Sequence, residues 1–180
     1  MVSGDSVTYR SSRGAETLMP MSAVRLPGRH LLSDVLAASA VSSVIGVSSD
    51  AMCRAVESFD GLEHTLESIG EINGVCFVND SKATNITAAR ASIECFTRDL
   101  VVILGGRFKG GELADLIPLL SSRDGSVVAI GEARDRIREV LGRTIQVKEA
   151  QTMRDAVHSA FALARSRGTV LLAPACASLD

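Results

Sequence analysis

From Gly61 onward the chain repeats one pattern: a short run of Val, Ile and Leu, then a segment with helical spacing, then another apolar run. The runs Leu100 to Leu104, Ser126 to Ile130 and Thr169 to Leu172 are close to continuously apolar, and Thr144 to Val147 is a further strand candidate. A strand with one wet face alternates polar and apolar. A continuous run fits a strand covered on both faces, as in a parallel sheet between two layers of helices. The segments near Ile86 to Phe96, Glu112 to Leu120, Ala133 to Leu141 and Thr152 to Arg165 supply those helices. Ahead of them, His64 to Ile72 and Val75 to Val78 flank Asn73-Gly74, a pair that tolerates positive φ and so closes a tight hairpin. The pattern predicts an α/β fold: a doubly wound, mostly parallel six-stranded sheet with five parallel strands and one antiparallel edge.

The opening third differs. Val7 to Arg10 and Glu16 to Met19 flank a turn signal at Ser12-Arg13-Gly14 and are expected to pair as a hairpin. Pro27-Gly28 breaks the chain. Leu32, Val35, Leu36, Val41 and Val44 then follow helical spacing up to Gly46, and a second helix runs from Ser48 or Ser49 to about Phe59. Two helices and a hairpin offer no evident sheet on which to bury themselves. Residues 1–60 therefore read as the tail of a larger domain and residues 61–180 as a nearly complete one.

Composition narrows the function. A net charge of -2 with no basic stripe gives no electrostatic case for nucleic acid or an anionic membrane. No apolar run reaches the roughly 20 residues that span a bilayer, and Met1 to Ser6 carries no signal-peptide pattern, so a cytoplasmic location is expected. The four cysteines, Cys53, Cys76, Cys95 and Cys176, have no CxxC or disulfide spacing. Cys76 and Cys95 read as small buried hydrophobes, and Cys176 as a small residue fitted to a tight loop. No cluster has metal-ligand spacing.

The chemistry is expected where parallel strands end, because open α/β sheets bind ligands outside their carboxyl edge. One strand exits into Asn79-Asp80-Ser81-Lys82-Ala83-Thr84-Asn85 and another into Gly105-Gly106-Arg107-Phe108-Lys109-Gly110-Gly111. A third exits into Gly131-Glu132, and the last into Ala173-Pro174-Ala175-Cys176-Ala177-Ser178. Lys82 and Lys109 bring ammonium groups; Ser81, Thr84 and Ser178 bring hydroxyls. Helix N-termini near Thr84 and Cys176 add backbone N–H groups. That set favours an anion. The glycine loop fails the GxxxxGK[ST] spacing of a phosphate loop. Glu132, Asp135 and Arg136 read as a solvated helix start, and His158 as structural.

These loops resemble those of the Mur ligases, the family that builds peptidoglycan, and most closely the branch that adds D-glutamate to UDP-N-acetylmuramoyl-L-alanine. Asn79 to Asn85, Ile103 to Gly110 and Leu171 to Asp180 look like three ordered motifs of that branch, and Gly61 to Glu67 resembles the opening of its C-terminal domain. The resemblance implies a Rossmann-like C-terminal domain, with its last helix truncated, preceded by the end of the central ATP-binding domain. It implies that Lys82, Thr84, Lys109 and Ser178 hold the carboxylates of D-glutamate. It implies that Asp80 contacts the ribose of ATP and that Asp34 and His64 belong to the nucleotide site. Gly28 to Asp34 is similar to the family's GxHNxxN, with Leu31 and Asp34 in place of two asparagines, and Thr65 stands where an arginine is usual. The implied reaction consumes ATP with magnesium, whose ligands belong mostly to another part of the enzyme. The implied full-length enzyme is a monomer. A chain without a phosphate loop is expected to be inactive alone. A non-catalytic carboxylate-binding module would use the same strand exits, and a ligase adding glutamate to a folate is a further alternative.

Overall fold

A computed structural model of the chain describes residues 1–12, 14–164 and 166–177. The chain divides into two compact units, Met1–Gly61 and Leu62–Asp180. In the first unit, β2 (Ser6–Ser11) and β3 (Gly14–Pro20) form the expected hairpin, and a third strand, β1 (Val2–Ser3), pairs with β2. The expectation of no local sheet is thus corrected: Val7, Leu18, Met19, Ala23 and Met52 form a small core of their own. Met52 comes from α2 (Ser49–Glu57), which Ser48 caps by accepting the Ala51 N–H. The inner stripe of α1 (Arg29–Val44) is Leu31, Val35 and Ser39, spaced i, i+4, i+8. Val41 and Val44 lie off that stripe and are exposed.

The second unit holds a six-stranded sheet in the order β4-β5-β9-β6-β7-β8. The edge strand β4 (Glu67–Ile72) pairs antiparallel with β5 (Val75–Asn79) through the Asn73-Gly74 turn, with both turn residues at positive φ. The other strands, β6 (Leu100–Gly105), β7 (Ser126–Ile130), β8 (Gln146–Glu149) and β9 (Thr169–Leu172), run parallel to β5. This is the predicted mixed α/β sheet. Its strand order places β9, last in sequence, between β5 and β6.

Alternation divides the core between two faces. Val75, Val101, Ile103, Val128 and Val170 pack with Ala156 and Ala160 of α6 (Met153–Leu163) on one face. Their strand neighbours Leu100, Val102, Leu104, Val127, Ala129 and Leu171 are as deeply buried and point to the other. Ile137 and Leu141 of α5 (Arg134–Leu141) and Ala89 and Ile93 of α3 (Ile86–Glu94) are also fully buried. Burying each of the Ile and Leu side chains stabilises the fold by about 1.5–3 kcal/mol. The helix expected over Glu112 to Leu120 is instead a 3-10 turn at Leu113–Leu116 running into α4 (Ile117–Ser121). Pro118 explains the break, since it lacks an N–H and fits a helix only in its first turn.

Candidate functional site

Three loops leave the carboxyl ends of β5, β6 and β9 and are stitched together by backbone hydrogen bonds. The Ala175 N–H donates to Ala83 O at 2.8 Å, which ties the β9 loop to the β5 loop. Gly105 N–H donates to Pro174 O, and Arg107 and Ala177 bond reciprocally, all at 2.9 Å, which ties the β9 loop to the β6 loop. Ala133 N–H donates to Gly106 O at 2.9 Å and adds the loop after β7. Two glycines make the approach possible. A Cβ on Gly105 would lie 1.8 Å from Ile130 O, and one on Gly106 would lie 2.2 Å from Ala177 O. Ala175 accepts a φ of 56°, left-handed for a residue with a Cβ, in order to reach Ala83.

Between these loops lies a cleft of about 250 Å³, lined by Ser81, Thr84, Gly105, Gly106, Gly131 and Cys176 among others. Among the described residues no acidic side chain lines it. Thr84 is on its wall. Lys82 is exposed on the same β5 loop, its N–H bonded to His64 O at 3.2 Å. Lys109 is exposed on the β6 loop, just beyond the lining residue Gly106. The Lys109 charge reaches the Cys176 thiol and lowers its pKa, but burial outweighs it and pushes that thiol up to about 11. Cys176 is fully buried and stays protonated at neutral pH, as the reading of a loop-fitting residue expects. Ser178 lies outside the described residues. The helix that opens behind this loop is capped one residue later than expected, by Asn85, whose side chain accepts the Ala88 N–H at 2.9 Å.

The nucleotide candidates fall in different places. Asp34 is exposed on α1 in the first unit. The strand expected to begin at His64 begins at Glu67, because His64 and Leu66 take φ values of 65° and 45° and form a strained loop. Such strain costs on the order of 1 kcal/mol or more per residue and gathers at functional loops. His64 is exposed, with Nδ1 2.9 Å from the Asn79 amide nitrogen. In the same loop Thr65 Oγ1 is buried without a hydrogen-bond partner among the described residues. Asp80 is 5% exposed. Its Oδ1 accepts the Leu66 N–H at 3.2 Å and its Oδ2 accepts the hydroxyl of Ser92, itself buried on α3. A carboxylate oxygen accepts more than one bond, so these two leave acceptor capacity. Ser92 was not singled out in the sequence: mid-helix among alanines, it looks like an ordinary small residue.

A family model described as Mur ligase, glutamate ligase domain, matches residues 66–176. The chain belongs to the Mur ligase family. The UDP-N-acetylmuramoylalanine–D-glutamate ligase of Salinibacter ruber is 38% identical to this Mur ligase chain over 175 residues, covering 97% of the chain and 38% of the relative. Its namesake from Acidobacterium capsulatum is 40% identical over 177 residues, with the same coverage. The chain thus spans under half the length of these curated relatives. Among solved structures, the folylpolyglutamate synthase of Mycobacterium tuberculosis complexed with ADP has a TM-score of 0.68 at 18% identity, over 90% of this chain and 40% of that one. The UDP-N-acetylmuramate-alanine ligase of Thermotoga maritima has a TM-score of 0.66 at 18% identity, over 83% and 35%. At such identities the two structures share the Mur ligase fold and carry no more than that.

Several expectations change against the structure. Cys76 is exposed rather than buried, because β5 alternates and only Val75 of the pair turns into the core. Cys95 is half-buried, and burial pushes its thiol to about 11. Leu31, in the place of an asparagine, is buried in the stripe of α1. Glu132 and Arg136 are not merely solvated: Glu132 pairs with Arg107 at 3.5 Å, and Arg136 lies over the Phe108 ring. Among the described residues no group of three His, Cys, Asp or Glu side chains could hold a metal ion. No step below is routed through magnesium. No helix among the described residues is long and apolar enough to cross a membrane.

Proposed function

We propose that this chain is the amino-acid-binding part of an ATP-dependent ligase that joins D-glutamate to UDP-N-acetylmuramoyl-L-alanine in peptidoglycan synthesis. The observation that carries the reading is the stitched cleft. Thr84 lines it, Lys82 and Lys109 stand on two of its loops, and no acidic group among the described residues lines it. The intact run Asn79 to Asn85 and the curated relatives at 38–40% identity support the substrate. Lys82, Thr84, Lys109 and Ser178 hold the two carboxylates. Each charge-assisted bond contributes about 1.5–3 kcal/mol.

With its carboxylates fixed, D-glutamate presents its amine to an acyl phosphate made from ATP elsewhere in the enzyme. The C–N bond forms, the bond from carbon to phosphate oxygen breaks with its electron pair leaving on phosphate, and the surplus amine proton is released. This chain's contribution is positioning. His64 and Asp80 serve the nucleotide side, Asp80 accepting from the ribose beside its bonds to Leu66 and Ser92. Asp34, within the closing portion of the ATP-binding domain, accepts from adenine. The isolated chain, which contains no phosphate loop, neither hydrolyses ATP nor forms the amide.

Steady-state kinetics of the full-length enzyme test this reading. Lys82→Ala raises KM for D-glutamate roughly ten- to hundred-fold and leaves KM for ATP nearly unchanged, whereas Asp80→Ala does the reverse. An effect of Lys82→Ala on ATP alone would move that lysine to the phosphate side and end the carboxylate assignment.

A further inference from the structure

Lys109 stands in an exposed, glycine-rich stretch of the β6 loop. Gly110 and Gly111 follow it at φ 105° and 97°, and Arg107, Lys109, Gly110 and Gly111 are all exposed. Phe108 is the one residue of that stretch that is partly buried. The guanidinium of Arg136, on α5, lies over the Phe108 ring, 4.3 Å from its centroid. Arg136 itself is well placed to act as an anchor, because α5 is fixed to the sheet by the fully buried Ile137 next to it. The neighbouring pair Arg107–Glu132 joins the same two segments, but both side chains are more than 60% exposed and the pair contributes little.

We infer that Arg136 is a positioning residue for Lys109: by covering the Phe108 ring it holds the loop so that the Lys109 ammonium stands at the cleft. A guanidinium over an aromatic face is attracted by the ring's quadrupole, and Phe108 is the side chain directly before Lys109. Arg136 touches no substrate in this account. The inference rests on the reading that Lys109 holds a carboxylate of D-glutamate.

The test is titration of the 180-residue chain with D-glutamate, read by NMR. It compares the unsubstituted chain with Lys109→Ala, Arg136→Ala, Phe108→Leu, Phe108→Tyr and the double variant Arg136→Ala/Phe108→Leu. Arg136→Ala and Phe108→Leu should each raise Kd about threefold, the size of an exposed cation–π contact. Phe108→Tyr, which keeps the aromatic face, should retain affinity. The double variant should be no weaker than either single one, and all thermal midpoints should agree. A loss in Arg136→Ala without one in Phe108→Leu means that Arg136 meets the ligand directly and overturns the inference. Additive losses, or losses that track a lowered thermal midpoint, overturn it as well. A loss in Lys109→Ala alone overturns the positioning role and leaves the carboxylate reading standing. No effect of Lys109→Ala, or no binding by the unsubstituted chain, ends that reading and this inference with it.

Discussion

Arg107 and Ala177 exchange both backbone hydrogen bonds, N–H to carbonyl oxygen at 2.9 Å in each direction. This two-residue bridge closes the cleft on the side between β6 and β9. It holds Ala177, the residue that precedes Ser178, a proposed carboxylate ligand, in the sequence.

Gly106 is the condition for that bridge. An added Cβ would stand 2.2 Å from Ala177 O, and its φ of 130° is itself unfavourable for any side chain. Gly106→Ala should destabilise the chain by ~1–3 kcal/mol and break the reciprocal bonds. Hydrogen exchange at the Arg107 and Ala177 amides reads this directly. Unchanged protection at both would mean that the loops hold together without the bridge.

Ser92→Ala removes one of the two donors that the described residues offer the buried Asp80 carboxylate. The expected cost is ~1–3 kcal/mol in denaturant unfolding of the chain. The Leu66 amide should also exchange faster, since Asp80 then holds that strained loop with less constraint. A variant as stable as the parent would show that the hydroxyl contributes nothing to Asp80.

Two thiols make stability depend on alkaline pH. Burial pushes Cys95 and Cys176 from the ordinary 9.0 to about 11. Between these values the unfolded chain loses the thiol protons before the folded chain does. The stabilisation is therefore complete below pH 9 and is lost as pH rises toward 11. Unfolding free energies across that window should fall more steeply in the parent than in Cys176→Ala or Cys95→Ala. Parallel slopes would contradict the burial argument. At pH 8 Cys176 should resist alkylation until the chain is unfolded.

The fold was legible because continuous apolar runs can satisfy only a covered parallel sheet. The runs at Ser126–Ile130 and Thr169–Leu172 became strands with those bounds. Less legible were features set by single residues against their surroundings. His64 to Leu66 reads as strand by composition, yet bonds from Lys82 N–H to His64 O and from Leu66 N–H to Asp80 hold it as a loop. The small sheet of the first unit depends on Val2–Ser3, too short to show any period. Within the cleft, the glycines and Thr84 were visible as strand exits. Ser92 and Arg136 were not, because each acts through a partner distant in sequence and neither belongs to a local pattern.

The most direct test of the account is an amide-resolved titration of the 180-residue chain with D-glutamate. Saturable shifts are expected, concentrated at Ser81, Thr84, Gly106 and Cys176 and abolished or strongly weakened by Lys82→Ala and by Lys109→Ala. Shifts confined to residues outside the cleft, or saturation indifferent to both lysines, would contradict it.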